Sequence, residues 1–154
     1  MLTQIFLGSI LLTLSILLGA ASALLVETML ARMHPWLLRE PHRPKLLVVI
    51  AGVSLWVLGM ITVGVWLWAF AFFGLGVFAT LEESVYFSLV TFTTLGFGDV
   101  LLPHQWRLLG GMAAANGFLS FGLLTALLVE ALRQVRLDQF AARRKTGRRV
   151  PSSV

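Results

Sequence analysis

Cysteine is absent from this sequence of 154 residues, and charge is scarce: Lys and Arg number 12, Asp and Glu number 7, and together they make up 12% of the chain. A typical soluble domain is about 25% charged. Without cysteine there can be no disulfide, no thiolate metal site and no cysteine nucleophile. The sequence also shows no pairing of a nucleophile with a base, no metal-ligand cluster and no phosphate-binding loop. An enzyme is therefore the weakest interpretation, and no cofactor is expected.

Hydrophobic residues make up 58% of the chain, more than a soluble domain of this length can bury. Charge-free runs of 22, 36 and 22 residues cover positions 5–26, 46–81 and 108–129. A bilayer crossing needs about 20 residues, so the middle run is too long for one span. We place the second span at 46–73 and a turn at 74–79. The sequence predicts an all-α membrane protein with three transmembrane helices.

The basic residues are unevenly placed along the chain. Four lie between the first two spans and seven follow the third. Cytoplasmic segments of membrane proteins are enriched in Lys and Arg. We therefore expect a multi-pass protein of the plasma (inner) membrane, with its N-terminus outside and its C-terminus in the cytoplasm. The net charge of +5 is spread among apolar runs and forms no groove for nucleic acid.

The segment between the second and third spans is too interrupted to cross the membrane. Thr80 is followed three residues later by Glu83, a capping box that predicts the start of a helix. The helix predicted over 81–93 is too short for a crossing, but its length suits a re-entrant segment. Thr-Thr-Leu-Gly-Phe-Gly-Asp follows at 93–99, where alternating glycines permit positive φ and let successive carbonyls turn to one side.

This motif resembles the signature sequence of potassium channels, written T-V-G-Y-G-D, and the surrounding order of short helix and apolar helix is also that family's. Trp106 to Leu128 resembles the inner helix of bacterial two-transmembrane potassium channels, most closely at Ser-Phe-Gly-Leu-Leu-Thr-Ala-Leu-Leu. The resemblance covers residues 46–130. It implies a homotetramer, since one chain supplies one strand of the filter and a closed ring needs four.

The resemblance also implies roles for particular residues. Potassium ions would be bound at the filter positions, which are Thr94, Leu95, Gly96, Phe97 and Gly98. Asp99 would stand at the outer mouth of this filter. The residues implied to line the inner cavity and gate are Gly117, Phe118, Phe121, Thr125 and Val129. Gly117 corresponds to the family's hinge glycine, although a small residue there could serve only close helix packing.

Two positions depart from the family pattern. Phe97 replaces the usual tyrosine, and Val90 stands where some bacterial channels carry a glutamate that contacts the residue matching Asp99. These departures leave a weakly selective monovalent cation channel open as an alternative to a potassium-selective one. A non-conducting membrane interaction protein, with the glycine-rich loop serving only for packing, is a third interpretation.

The predicted division of the chain has four parts. An extra N-terminal transmembrane helix occupies 1–30, a basic cytoplasmic loop 31–45, the pore domain 46–132 and a basic cytoplasmic tail 133–154. Within the pore domain the predicted segments are the outer helix 46–73, pore helix 81–93, filter 94–99 and inner helix 106–132. The basic tail is a candidate for contact with anionic lipid, because basic residues near such a surface are attracted to it.

Overall fold

The computed structural model describes residues 1–37 and 42–147. Four α-helices and one short 3-10 turn account for most of them. In chain order these elements are α1 (Leu2–Leu37), α2 (His42–Gly74), α3 (Leu81–Phe92), the 3-10 turn (His104–Trp106) and α4 (Arg107–Gly147). The described residues contain no strand, and the prediction of an all-α fold is confirmed.

Three of the helices are long and apolar enough to cross a membrane, which confirms the predicted number of spans. These stretches are Leu2–Met29, Leu47–Gly74 and His104–Arg133. Only 11%, 17% and 22% of their most hydrophobic windows are buried within the single chain. The remaining apolar surface requires lipid or other protein subunits to cover it.

The helices on the basic side are longer than the predicted spans. α1 continues to Leu37, α2 begins at His42, and α4 runs on through residues 133–147, which the sequence had suggested as a separate tail. Helix-favouring Ala, Leu, Gln and Arg residues dominate this extension. The 41 residues of α4 span about 62 Å, about twice the hydrocarbon thickness of a bilayer. Of the predicted basic segments, Arg39, Arg148 and Arg149 lie outside the described residues.

Helix α3 begins where the capping signal placed it. The Thr80 backbone is extended, and its Oγ1 accepts a hydrogen bond from the Glu83 amide at 3.1 Å. Ser84 Oγ donates to the Thr80 carbonyl at 3.0 Å. The helix ends at Phe92, one residue before the predicted end, and its 12 residues measure about 18 Å. It cannot cross a membrane and is re-entrant in length.

Aromatic and aliphatic side chains from α2, α3 and α4 form the core beside the loop that follows α3. Its buried members are Trp68, Phe72, Val77, Leu102, Leu109 and Ala113. The rings of Phe72 and Phe87 meet edge to face, with centroids 5.3 Å apart. Phe87 therefore fixes α3 against α2, and the turn after α2 closes over the same cluster through Val77 and Phe78.

Helix α1 packs against the rest of the chain through small residues and two hydrogen bonds. Gly8 lies against Met112, and a Cβ added at Gly19 would lie 3.0 Å from Leu123. Gln4 Oε1 accepts a hydrogen bond from the Leu109 amide at 3.3 Å, one of the amides that has no partner inside α4 because it lies in the first turn. On α2, Trp56 Nε1 donates to Ser22 Oγ at 2.7 Å. The extra helix is thus attached to both α4 and α2.

Candidate functional site: the pore loop

The loop after α3 has an alternating backbone. Thr94, Gly96 and Gly98 have φ values of 60°, 58° and 78°. Among the described residues Thr94 is the one non-glycine residue with positive φ, a conformation that a side chain makes unfavourable. Strained backbone of this kind persists only where the surrounding structure enforces it, and it is concentrated at functional sites.

Backbone hydrogen bonds attach the first half of the loop to the end of α3. The Leu95 and Gly96 amides both donate to the Val90 carbonyl, at 3.0 and 3.4 Å, and the Thr94 amide donates to Thr91 at 3.0 Å. In a trans peptide the N–H and C=O groups point in opposite directions. The carbonyls of residues 93, 94 and 95 therefore point away from α3, and together they form one oxygen-lined edge.

The backbone carbonyl oxygens of the loop are free. Within the part of the chain that the structure describes, no backbone carbonyl from Thr94 to Gly98 accepts a hydrogen bond. All five residues of this stretch are exposed, including the Leu95 and Phe97 side chains at 62% and 66%. Unpaired backbone at membrane depth requires a polar ligand, water or another protein surface. The loop has the chemistry to coordinate a dehydrated cation.

The end of the loop at Asp99 is held by a side chain that the sequence did not predict. Tyr86 on α3 donates its hydroxyl proton to Asp99 Oδ2 at 2.5 Å, and the Val100 amide donates to Asp99 Oδ1 at 3.0 Å. Tyr86 precedes Val90 by four residues, so the two lie on one face of α3. Two features of the sequence could have identified Tyr86 as the partner of Asp99: its spacing of four residues from Val90, and the fact that it is the one tyrosine in the chain.

The hydrogen bond between Tyr86 and Asp99 shifts the pKa of both groups. Accepting a hydrogen bond from Tyr86 lowers the pKa of Asp99 below its ordinary value of 3.8, because the bond favours the ionised carboxylate. The same bond, together with the negative charge of Asp99, raises the pKa of Tyr86 above 10.0. Asp99 is therefore an anion, and Tyr86 neutral, across the physiological range. The carboxylate predicted at the outer mouth has a partner despite Val90, whose side chain is buried.

Gly117 of α4 lies directly against the end of α3. A Cβ added there would lie 2.7 Å from the Phe92 carbonyl carbon and Cα, and closer still to its oxygen. The Phe92 ring fills the space beside Gly64 of α2, where an added Cβ would lie 2.9 Å from Cε2, and its centroid is 5.9 Å from that of Phe121. Phe92 thus connects the pore loop to two of the long helices, and Gly117 has a packing role.

The other residues predicted to line the cavity share an exposed face of α4. They are Phe118, Phe121, Thr125 and Val129. Their spacing of three or four residues places them on one side of the helix, and Phe118 and Val129 are 71% and 59% exposed. This face is uncovered in the single chain. Glu82 and Glu83, near the start of α3, are exposed as well.

A family model described as an ion channel matches residues 48–134, more than half of the chain. The matched region begins near the start of the second span and includes α3, the pore loop and the membrane part of α4. No curated protein and no solved structure matches the chain. Among the described residues, no group of three or more His, Asp or Glu side chains is placed to hold a metal ion.

Proposed function

Because the chain belongs to the ion channel family, with a pore domain of the two-transmembrane potassium-channel type, we propose that it is one subunit of a potassium-selective channel. The ion would move passively down its gradient. The observation that carries this proposal is the loop from Thr94 to Gly98, in which positive φ alternates with other conformations and the carbonyls are free.

Potassium ions would be held by the carbonyl oxygens of Thr94, Leu95, Gly96 and Phe97, with Gly98 at the outer end. Such a row of oxygens replaces the hydration shell that an ion loses on entering a narrow pore. The carboxyl end of α3 carries partial negative charge, and its direction toward the loop favours a cation on the inner side. Asp99, Glu82 and Glu83 would add negative charge at the outer mouth.

Four copies are needed to close the pore. A single loop coordinates an ion from one side, and the 62% and 66% exposure of Leu95 and Phe97 leaves these side chains uncovered. A cyclic arrangement of four chains covers them and brings four carbonyl rows around one axis. In this homotetramer the face of α4 that contains Phe118 and Phe121 lines the cavity below the filter, and Thr125 and Val129 lie toward the gate.

The positive-inside rule and the helix contacts support the same orientation. At one end of the helix bundle, Gln4 of α1 is hydrogen-bonded to Leu109 of α4. At the opposite end of the bundle, Val49 and Val53 of α2 pack against Ala131 of α4. The basic connection between α1 and α2 and the basic end of α4 are therefore on one side, which we assign to the cytoplasm. The N-terminus and the pore loop are then outside.

Ion flux from liposomes containing the purified full chain tests the filter. Gly96→Ala should reduce potassium flux at least tenfold, because the left-handed conformation at φ 58° costs a residue with a side chain about 1–2 kcal/mol in each subunit. No atom of the same chain lies within 4 Å of the added Cβ, so within the subunit the effect is conformational. Gly59→Ala is the matched control, since its Cβ also meets no atom but its backbone is helical.

The outcomes separate the competing functions. Flux that is undiminished in Gly96→Ala would refute the filter assignment. Equal passage of sodium and potassium, measured as reversal potentials in mixed ions, would identify a weakly selective cation channel. A stable monomer or dimer without flux would identify a non-conducting membrane protein.

A further inference from the structure

A groove of about 220 Å³ lies between α1 and α2, at the end of the bundle where the chain passes from one helix to the other. Val26 and Met29 of α1 form one wall, and the part of α2 from Val48 to Trp56 forms the other. Apart from the indole of Trp56, all of the lining is apolar. We call this feature the α1–α2 groove.

The α1–α2 groove has the dimensions of a section of a hydrocarbon chain. Between Val48 and Trp56 helix α2 rises about 12 Å, so the groove follows the helix axis. Its volume equals that of about seven water molecules, and a methylene group is of similar size. Gly52 keeps the groove open, since no atom of the chain lies within 4 Å of a Cβ added there. A helix, about 10 Å wide, does not fit into it.

The mouth of the α1–α2 groove lies at the level of the membrane surface. Met29 is the last residue of the first membrane-spanning stretch, and Val48 is the second residue of the next one. These two side chains are 55% and 56% exposed in the chain. At its deep end the groove is bounded by Trp56, whose Nε1 donates to Ser22 Oγ at 2.7 Å. The groove therefore runs from the headgroup region into the hydrocarbon, as a lipid chain does.

The charges around the mouth are mostly positive. Arg32 is exposed and follows Met29 by three residues, which makes the two neighbours on the surface of α1. Residues 31–45 contain four basic residues and one acidic residue. Glu27 is about 160° around the helix from Met29, and so does not share its face. A second copy in the same orientation would bring the same basic segment beside this one, which repulsion between like charges opposes.

We propose that the α1–α2 groove binds one acyl chain of an anionic phospholipid, with the lipid's headgroup beside Arg32. An uncharged lipid would fill the groove but gain nothing from the basic mouth, and an inorganic anion would meet the charge but leave the groove empty. Basic residues near a membrane surface attract anionic lipid. This binding does not depend on ion conduction, so a chain that conducts no ions would leave the proposal intact.

Fluorescence quenching of Trp56 by brominated lipid tests the site, because bromine quenches an indole only on close contact. The full chain is reconstituted in liposomes that contain increasing amounts of phosphatidylglycerol or phosphatidylcholine, each brominated near the middle of its acyl chains. The contribution of Trp56 is the difference between each protein and its Trp56→Phe counterpart. We expect the phosphatidylglycerol content that quenches Trp56 by half to be at least fivefold lower than the phosphatidylcholine content.

The charge at the mouth is tested by Arg32→Gln. This variant should reduce the preference for phosphatidylglycerol about fivefold, because it removes one basic residue from the headgroup region. Arg136→Gln is the matched control, since it removes the same charge from an exposed position on α4, outside the groove. It should quench like the wild type. Both substitutions are at exposed positions, so both variants should fold.

The groove itself is tested by Gly52→Leu, whose side chain would occupy the space that an acyl chain takes. Quenching of Trp56 by either lipid should fall severalfold. Gly59→Leu is the control, because Gly59 is on the same helix, an added Cβ there also meets no atom within 4 Å, and it does not line the groove. Should Gly52→Leu fail to assemble as the wild type does, the comparison of Arg32→Gln with Arg136→Gln still decides the proposal.

Four results would overturn the proposal. Equal half-quenching contents of the two lipids would show that the groove does not select anionic lipid. An equal preference in Arg32→Gln and Arg136→Gln would remove the headgroup from Arg32. Undiminished quenching in Gly52→Leu would show that the lipid near Trp56 lies outside the groove. Absence of Trp56 quenching by both lipids would show that a neighbouring copy or another part of the chain covers the groove.

Discussion

Replacing Gly117 by alanine should destabilise the folded chain, although the same change in a helix interior ordinarily stabilises it by about 1 kcal/mol. The added Cβ would lie 2.7 Å from two backbone atoms of Phe92. A flexible side chain could rotate away, but the end of α3 cannot, because Leu95 and Gly96 are hydrogen-bonded to it. Overpacking costs about 1–3 kcal/mol, and contact with backbone places this case at the upper end. The expected net loss is about 1–2 kcal/mol.

Thermal unfolding of the detergent-solubilised or bilayer-embedded protein measures this loss. For a chain of this size, each kcal/mol lowers Tm by about 2–4 °C. Gly111→Ala is the control, because it lies on the same helix and its Cβ would have no atom within 4 Å. That variant should be as stable as the wild type or slightly more stable.

The comparison also separates the two roles considered for Gly117. If the residue were only a hinge, alanine would change how readily the pore opens and would leave Tm equal to that of Gly111→Ala. Equal Tm values for the two variants would therefore refute the close approach to Phe92. A lower Tm for Gly117→Ala alone would show that packing constrains this position, whatever movement it also permits.

Three further changes have defined outcomes. Tyr86→Phe removes the donor to Asp99, so NMR-detected amide exchange should accelerate several-fold at Val100, whose amide donates to Asp99 Oδ1, and stay unchanged at Leu95; a similar change at both would contradict separate anchoring. The bond contributes fully to the stability of the loop above pH 3.8, where Asp99 is ionised, and below pH 10.0, where Tyr86 is protonated. Exchange at Val100 should therefore be flat relative to the intrinsic rate between pH 5 and 9, about one unit inside those limits, and an inflection near neutrality would show that another group controls it. Gln4→Leu leaves the Leu109 amide unpaired and should lower stability by about 1 kcal/mol in thermal unfolding, whereas Thr3→Ala, at an exposed position, should have no effect.

Local signals predicted the pore region well. The Thr80 cap, the start of α3 and the positive φ at Gly96 and Gly98 each depend on a few neighbouring residues. The positive φ of Thr94 could not be predicted, because threonine opposes it and only the hydrogen bonds to α3 enforce it. Contacts between residues that are far apart in the sequence could not be predicted either.

The partner of Asp99 and the attachment of α1 are such contacts. Tyr86 reaches Asp99 only after the loop has turned back beside α3. Helix α1 is apolar on all sides, so its sequence does not show which face meets α4. Gly8 and Gly19 permit another helix to approach α1 closely, but a glycine in a membrane helix does not show which helix that is.

The two ends of the pore loop are held by chemically different means. The end next to α3 depends on the backbone carbonyl of Val90. Every amino acid has such a carbonyl, so substitution at position 90 leaves that acceptor in place. The opposite end depends on the hydroxyl of Tyr86 and the carboxylate of Asp99, which single substitutions can remove. Variation during evolution can therefore loosen or tighten the end of the loop at Asp99, while the conformation of the end that is bonded to Val90 is inherited with the backbone itself.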